Sequence, residues 1–114
     1  MDNHARQWLA DVVQAVQEIQ SFVATTQDYE AFVEDLKTRK AVERNIEIIG
    51  EAVRRLVAAD PAIGISHVRA IIDTRNRIAH AYDQVSEDIL WTIVVRHLPQ
   101  LLVEVQGLLK SYSG

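Results

Sequence analysis

The amino-acid sequence predicts an all-α protein, most simply an antiparallel bundle of four to five helices. Apolar residues recur at intervals of three and four over long stretches, which is the period of an amphipathic helix. No useful stretch alternates apolar and polar residues with the period of two that a half-buried strand requires. Gly, Pro and Ser are sparse outside the segment ADPAIGIS at 59–66, and no repeat appears. Since 48% of the 114 residues are hydrophobic, we expect one domain, residues 1–114, around one core.

Two helices are predicted in the first third of the chain. The first begins at Asp2 or Asn3, because either side chain can cap a helix, and it runs to about Thr25. Its apolar stripe comprises Trp8, Val12, Ala15, Val16, Ile19, Phe22 and Val23. Asp28 can cap a second, short helix from residue 29 to about residue 37.

The middle of the chain predicts two further helices. Thr38 either caps the third helix or is passed through, and the helix ends before Pro61. Its apolar stripe comprises Val42, Ile46, Ile49, Val53, Leu56 and Val57. Ser66 is predicted to be the N-cap of the fourth helix. That helix carries the apolar residues Val68, Ile71, Ile72, Ile78 and Ala79.

The last predicted helix begins at Ser86, which two acidic residues follow at the positive end of the helix dipole. Its inward residues are predicted to be Ile89, Ile93, Leu101 and Val105. Pro99 interrupts this helix, because proline lacks the backbone N–H and its ring clashes with the preceding turn. We therefore expect a kink near Val95 or a restart near Leu98.

The composition limits the kinds of site and location that the protein can have. There is no cysteine, which excludes disulfides, a thiolate nucleophile and cysteine-based zinc sites. The four histidines, at positions 4, 67, 80 and 97, show no metal-ligand spacing, so we expect neither a metal nor another cofactor. The N-terminus is charged where a signal peptide would be apolar, and the longest apolar stretch, Ile89–Val95, is too short to span a bilayer. We expect a soluble cytoplasmic protein without membrane contact.

The charge of the chain is unevenly distributed. The net charge is -4, which argues against indiscriminate binding to nucleic acid. Residues 37–80, however, hold nine Lys and Arg residues and five Asp and Glu residues, so this segment carries +4 and the flanks together carry -8. An acidic molecule with a basic middle fits a local anionic ligand.

The segment RNRIAHAY at 75–82 concentrates polar chemistry on the fourth helix. On a straight helix Arg75 and His80 point about 140° apart, whereas Arg75 and Tyr82 share a face, as do Asn76 and His80. Arg75 and His80 can meet if the helix deforms after Ala79, or if two copies of the helix pool their side chains across a symmetric dimer. We favour the dimer, because a two-fold axis through this segment also doubles the local positive charge.

These residue types suit the cleavage of RNA by attack of its own 2'-hydroxyl on the adjacent phosphorus. The nucleophile arrives with the substrate, so neither a metal nor a protein nucleophile is required. His80 can exchange protons near neutral pH, and Arg75 can hold the phosphate oxygens as charge builds on them. Asn76 can orient His80 or bind a phosphate oxygen, and Arg77 can bind RNA phosphate. Tyr82 can stack on a base, donate a hydrogen bond or be modified.

Spacing alone leaves other interpretations of these residues open. From spacing alone, an Arg and a His on a helix are most often a solvated helix face or members of local ion pairs, here with a residue such as Asp73 or Asp83. The motif alone is therefore a weak signal of function.

An acidic ridge precedes the motif. Glu43, Glu47 and Glu51, spaced by four and flanked by arginines, can form a carboxylate site, an ion-paired helix face or part of a dimer seam. Gly50 lies inside the same helix, where glycine is unfavourable by about 1 kcal/mol relative to alanine. A close approach of two helices would explain it, and so would tolerance of a small defect.

The sequence resembles the HepT branch of the HEPN (higher eukaryotes and prokaryotes nucleotide-binding) superfamily. The motif at 75–82 resembles the family's Arg-x4-His-x-Tyr signature. Further likeness lies in ERNIEIIGEAVRRL at 43–56, in the link DPAI, and in DILWTIVVRHLPQLL at 88–102. The resemblance therefore covers nearly the whole chain.

The resemblance implies a helical bundle that dimerises through its motif-bearing helices and acts as a metal-independent endoribonuclease. It implies the toxin of a type II toxin-antitoxin system, with Arg75 and His80 as the catalytic pair and Asn76 in support. It also implies a partner, a nucleotidyltransferase antitoxin of the MNT type that transfers AMP onto Tyr82 and silences the toxin. The alternative hypothesis is a non-catalytic helical dimer that binds nucleotide or docks a nucleotidyltransferase. A third is a purely structural bundle.

Overall fold

The structure, a computed structural model, describes residues 3–26, 28–80 and 85–113, and these segments contain helices but no strand. The helices are α1 (Asn3–Val23), α2 (Tyr29–Glu34), α3 (Leu36–Ala59), α4 (Val68–His80), α5 (Glu87–Thr92) and α6 (Leu98–Ser113). A π-helical turn, Ile93–His97, joins α5 directly to α6. These three segments form one long helix whose α-helical pattern is interrupted at the turn, so the described residues contain five separate helices. The prediction of an all-α fold with four to five helices is confirmed.

The long helices α1 and α3 pack side by side and run in opposite directions. In the first half of α3, the amide of Asn45 donates to the backbone oxygen of Ala15 in the second half of α1, at 3.3 Å. Near the other ends of the two helices, Ala52 of α3 and Trp8 of α1 line the same cleft. The helix α4 is likewise antiparallel to α3, so the predicted antiparallel arrangement is confirmed.

The hydrophobic core lies mainly between α1, α3 and the C-terminal helix. The predicted apolar stripes supply most of it, including the buried residues Val12, Val16, Ile19, Val42, Ile46, Ile49, Val53, Leu56, Ile93, Leu101 and Val105. The helix α4 is less deeply embedded: Ile71 is buried, while Ile72 and Ile78 are half-buried and Ala79 is exposed. One side of α4 therefore faces outward. Within the described residues, no helix has both the length and the apolar character needed to cross a membrane.

Two of the predicted N-caps are confirmed. The Asp28 side chain accepts a hydrogen bond from the backbone N–H of Ala31 at 2.8 Å, which starts α2. The Ser86 hydroxyl accepts one from the backbone N–H of Ile89 at 3.3 Å, which starts α5. Each cap satisfies a helix N–H that has no partner within its own helix.

The predicted end of the second helix near residue 37 is wrong. Asp35 ends α2 and caps α3, because its carboxylate accepts the backbone N–H of Thr38 at 3.0 Å and the Thr38 hydroxyl at 2.7 Å. Thr38 thus does not cap α3 but lies inside its first turn. The first helix also ends two residues earlier than expected, at Val23.

The prediction that Ser66 caps the fourth helix is wrong as well. Its backbone N–H and hydroxyl both donate to the carboxylate of Glu104 on α6, at 2.9 and 2.6 Å. His67 then turns the chain with a positive φ of 59°, and its carbonyl accepts the N–H of Ile71 at 3.1 Å. The hydroxyl donates to Glu104 and accepts from the amide of Gln100 at 3.3 Å, so it is directed to α6 and caps no N–H of α4.

Pro99 interrupts the C-terminal helix as the sequence predicts. The π-helical turn lies immediately before it, and the N–H of Leu98 donates to the carbonyl of Ile93, five residues back. The wider turn accommodates a proline that would clash with the carbonyl four residues earlier, at Val95. Of the two expected outcomes, a kink near Val95 or a restart near Leu98, the restart is confirmed, because the α-helical pattern resumes at Leu98.

Gly50 lies where α3 and α4 come closest. A Cβ atom built on Gly50 would lie 2.2 Å from Cβ and 2.6 Å from Cγ of Arg75, and 3.5 Å from the carbonyl oxygen of Ile71. Atoms this close to a backbone cannot be moved by rotating a flexible side-chain end. The close helix approach that could explain this glycine is therefore present, and it places the base of Arg75 directly on α3.

Gly50→Ala should destabilise the protein, although the same change usually stabilises a helix. The new methyl group would push α4 away from α3, which we expect to lower the free energy of unfolding by about 1–3 kcal/mol. Gly107→Ala in α6 is the matched control, since nothing lies within 4 Å of its Cβ position, and it should raise stability by up to about 1 kcal/mol. Urea unfolding of both variants measures the difference. Equal stabilisation by the two changes would contradict the close approach.

Candidate functional site

Arg75 is held in place by an ion pair to α3 and by a hydrogen bond to its neighbour on α4. Its Nη2 lies 3.2 Å from Oε2 of Glu51 on α3, and its Nη1 donates to Oδ1 of Asn76 at 3.0 Å. Its Nε is buried and has no hydrogen-bond partner among the described residues. The side chain as a whole is 26% exposed and lines an open cleft.

Glu51 is the residue that links Arg75 to the arginines of α3. One of its oxygens, Oε1, accepts from Nη2 of Arg54 at 2.7 Å and from Nε of Arg55 at 3.0 Å. The hydrogen bonds from Arg54, then those from Arg55 and the charges of Arg54 and Arg75, lower the pKa of Glu51 from 4.5 to about 2, against the opposing effect of burial. Glu51 is therefore a carboxylate at any physiological pH and can fix Arg75 permanently.

The acidic ridge on α3 divides into two parts. Glu43 lies 3.9 Å from Lys40, and Glu47 lies 3.4 Å from Arg44, so both form exposed ion pairs within α3. Such pairs contribute little to stability. Glu51 differs because it also reaches across to α4. The ion-paired helix face is thus confirmed along the ridge, and the sequence analysis missed the contact from Glu51 to Arg75.

A cleft of about 390 Å³ opens beside Arg75, on the side of α3 that faces α1. Arg44 and Arg55 line it together with Arg75, and Trp8 supplies an aromatic wall. The Arg55 guanidinium lies 6.0 Å from the centre of the Trp8 ring. Asp11, Glu47 and Glu51 line the same opening, so three carboxylates balance the three guanidinium groups.

His80 is the last residue of α4 and is exposed. The helix keeps its α-helical pattern through this residue, so Arg75 and His80 leave it about 140° apart. Arg75 points towards α3, whereas His80 follows the outward side that also carries the exposed residues Asp73 and Arg77. Within one chain, α4 therefore does not bring the predicted catalytic pair together.

The remaining predicted site residues have different surroundings. Asn76 is half-buried and contacts Arg75, and Arg77 is exposed three positions before His80. Arg75 forms its ion pair with Glu51 on α3, and not with Asp73 as one alternative suggested. Tyr82 and Asp83 lie outside the described residues. Among the residues that the structure describes, no group of three or more His, Cys, Asp or Glu side chains could hold a metal ion.

Comparison with known proteins places this chain in a family. The family model described as Ribonuclease HepT-like matches residues 12–108, which include α4 and the residues around Arg75. The chain belongs to the HepT-like ribonuclease family. Its enzyme class is therefore that of an endoribonuclease of the HEPN type, and the resemblance found in the sequence is confirmed.

Curated relatives of this HepT-like chain match over nearly their full length. "Probable ribonuclease HepT" of Thermococcus cleftensis is 31% identical over 114 residues, covering 96% of this chain and 100% of the relative. "Putative RNase MJ0127" of Methanocaldococcus jannaschii is 28% identical over 113 residues, covering 96% and 90%. No solved structure gave a significant match.

Replacing Glu51 should change how stability depends on pH. Because its pKa is lowered by folding, Glu51 contributes stability that is full above its ordinary value of 4.5 and is lost as pH falls towards about 2. Glu51→Gln should lower stability at neutral pH and reduce the further loss in acid. Urea midpoints across the acid range measure this, with Glu34→Gln at the exposed end of α2 as the control. Identical acid profiles for Glu51→Gln and wild type would refute the role of this carboxylate.

Proposed function

We propose that this HepT-like chain is a metal-independent ribonuclease toxin whose cutting site is formed by two copies of α4. The observation that carries the proposal is the arrangement of α4 itself. Arg75 is clamped against α3 on one side of a regular helix, while His80 is exposed at its end on a different side. Membership of a ribonuclease family supports RNA as the substrate.

The reaction needs only groups that the RNA and these side chains supply. The 2'-hydroxyl loses its proton, its oxygen attacks the adjacent phosphorus, and the bond from phosphorus to the 5'-oxygen breaks. The products are a 2',3'-cyclic phosphate and a 5'-hydroxyl end, and the proton taken up by the 5'-oxygen balances the one released. His80 serves as the base for the first proton or as the acid for the second. No metal ion is needed to generate a nucleophile.

Arg75 is the residue that holds the scissile phosphate. Glu51 and Asn76 fix its guanidinium before substrate arrives, so little reorganisation is needed as charge develops on the phosphate oxygens. Asn76 supports this geometry through its contact with Arg75. The exposed Arg77 adds a contact to the RNA backbone near His80.

A second copy of the chain completes the site. Since Arg75 and His80 leave α4 in different directions, the two side chains of one chain cannot easily reach the same phosphate. Two α4 helices meeting around a two-fold axis would place Arg75 of one copy near His80 of the other, twice per dimer. The outward side of α4, which carries Asn76, Arg77 and His80, is available for such a meeting.

Regulation follows from the position of Tyr82, two residues after His80. In this proposal a nucleotidyltransferase antitoxin of the MNT type transfers AMP from ATP onto the Tyr82 hydroxyl and releases pyrophosphate. The added phosphate is anionic and bulky, so it competes with RNA for the arginines of the cleft. RNA cutting would then be silenced without unfolding the toxin.

Mixing two inactive variants distinguishes a shared site from a site within one chain. Arg75→Ala and His80→Ala should each abolish RNA cleavage. In a mixed dimer, one shared site lacks both groups and the other keeps both. After unfolding and co-refolding in equal amounts, half of the dimers are mixed, so cleavage should return to roughly a quarter of the wild-type rate. The measurement is fragment formation from total RNA, with each variant refolded alone as the control.

The outcomes separate the possible functions. If wild type cuts RNA but the mixture stays inactive, both groups act within one chain and the two-copy site is wrong. If wild type cuts no RNA, yet wild type and His80→Ala both bind a nucleotidyltransferase, the chain is an adaptor and the nuclease proposal fails. Sizing each variant before the assay excludes loss of the dimer as the cause.

The Tyr82 proposal is tested by co-expression with a nucleotidyltransferase encoded beside this chain. Wild type should gain the mass of AMP on Tyr82 and lose toxicity, because the adduct competes with RNA. Tyr82→Phe keeps the ring but lacks the acceptor oxygen, so it should gain no mass and remain toxic. Tyr112→Phe removes a different tyrosine hydroxyl, serves as the matched control and should behave as wild type does. Adduct formation on Tyr82→Phe would refute the assignment.

A further inference from the structure

A second cavity lies on the opposite side of α4 from the Arg75 cleft. It encloses about 310 Å³ between α4 and the helical segment that runs from α5 into the π-helical turn, and we call it the α4–π cavity. Its apolar lining includes Ala70 on α4 together with Ile89 and Ile93. Thr74 also lines it, but its hydroxyl is already bonded to the carbonyl of Ala70 at 2.7 Å. The apolar walls thus suit a flat ring system.

Charged groups of both signs surround this apolar lining. Asp73 and Arg77 reach the cavity from α4, and Asp88 reaches it from α5. The hydroxyl of Tyr29 donates to Asp88 and so fixes that carboxylate at the edge. A ligand in the cavity would meet carboxylates, which accept hydrogen bonds, beside a guanidinium, which donates them. This combination suits a ligand that carries both N–H donors and acceptor atoms.

His97 is a further polar residue at this cavity. It belongs to the π-helical turn before Pro99, and its ring lines the cavity. Its Nδ1 is buried and has no hydrogen-bond partner among the described residues. The ring stacks on His67 at a centroid distance of 4.3 Å and an angle of 11°, which holds its orientation. Since Nδ1 has almost no accessible surface, a ligand in the cavity would meet the rest of the ring and not this atom.

The α4–π cavity lies beside the proposed cutting group. Asp73, Arg77 and His80 are spaced by four and three residues, so they follow one side of α4. His80 is one turn beyond Arg77, about 4.5 Å along the helix axis. A base inside the cavity, in contact with Arg77, would therefore leave its own phosphate close to His80.

We propose that the α4–π cavity binds the base of a nucleotide next to the cut, and that the base is guanine. Guanine presents two N–H donors on one edge, which match a carboxylate such as Asp73. It presents two acceptors, O6 and N7, on another edge, which match the guanidinium of Arg77. The inference rests on the proposed function for its substrate class. Binding of a guanine nucleotide, however, does not depend on RNA being cut.

Binding is tested with guanosine 5'-monophosphate (GMP) and uridine 5'-monophosphate (UMP), titrated calorimetrically into the full chain. Both carry the same phosphate, so a difference in affinity reports the base. We expect saturable GMP binding about tenfold tighter than UMP binding. Asp73→Asn replaces one acceptor by a donor and should reduce GMP affinity to the level of UMP. Glu34→Gln removes an equally exposed carboxylate elsewhere and should leave GMP binding unchanged.

A second variant checks that any loss of GMP binding in Asp73→Asn reflects the cavity and not an indirect effect of that substitution. Thr92 is exposed at the rim of the cavity, so Thr92→Trp should close the opening without disturbing the core, and it should abolish GMP binding. Equal affinity for GMP and UMP would overturn the inference. Unchanged GMP affinity in both Asp73→Asn and Thr92→Trp would overturn it as well, since the nucleotide would then bind elsewhere.

Mapping the cut sites separates this inference from the proposed function. Wild type should cut next to guanine. Asp73→Asn keeps His80, so it should still cut RNA, but with a weaker preference for guanine. Cutting without base preference, together with absent GMP binding, would leave the ribonuclease proposal standing and refute the base pocket. Selective GMP binding that depends on Asp73, without any cutting of RNA, would support the pocket and refute the ribonuclease proposal.

Discussion

The close contact of α3 and α4 at Gly50 is the constraint on which the rest of the site depends. Because Gly50 has no Cβ, the first side-chain carbons of Arg75 rest directly on α3. That approach brings Glu51 within reach of the Arg75 guanidinium, and two further arginines keep Glu51 ionised. The absence of one methyl group at position 50 thus determines how closely Arg75 packs on α3, which way its side chain points and which charges surround it.

The same contact leaves α4 supported on one side and open on the other. Ile71 and Thr74 are buried, while Arg69, Asp73, Arg77 and His80 are exposed. A helix with this little burial gains most of its stability from tertiary packing on one face, and its outward face is free to carry function. The unequal division explains how one helix can serve both a cleft beside α3 and a cavity beside α5.

The sequence predicted features that depend on local chemistry and missed those that depend on distant residues. Asp28 and Ser86 cap helices through bonds to residues three positions ahead, and Pro99 interrupts its own helix, so local reasoning found all three. Ser66 was misread because its partner is Glu104 on α6. The contact from Glu51 to Arg75 was missed for the same reason. The available signal was the position of Glu51, which directly follows Gly50, a helical glycine at which a second helix can approach closely.

The bonds from Ser66 to Glu104 join residues 38 positions apart, and they bear on the order in which the chain becomes an enzyme during synthesis. The ribosome makes α4 well before it makes α6. Until Glu104 has left the ribosome, the start of α4 lacks the carboxylate that receives its backbone and hydroxyl donors, and such long-range contacts form late. The turn that leads into α4 therefore gains its bonds to Glu104 only when the chain is nearly complete.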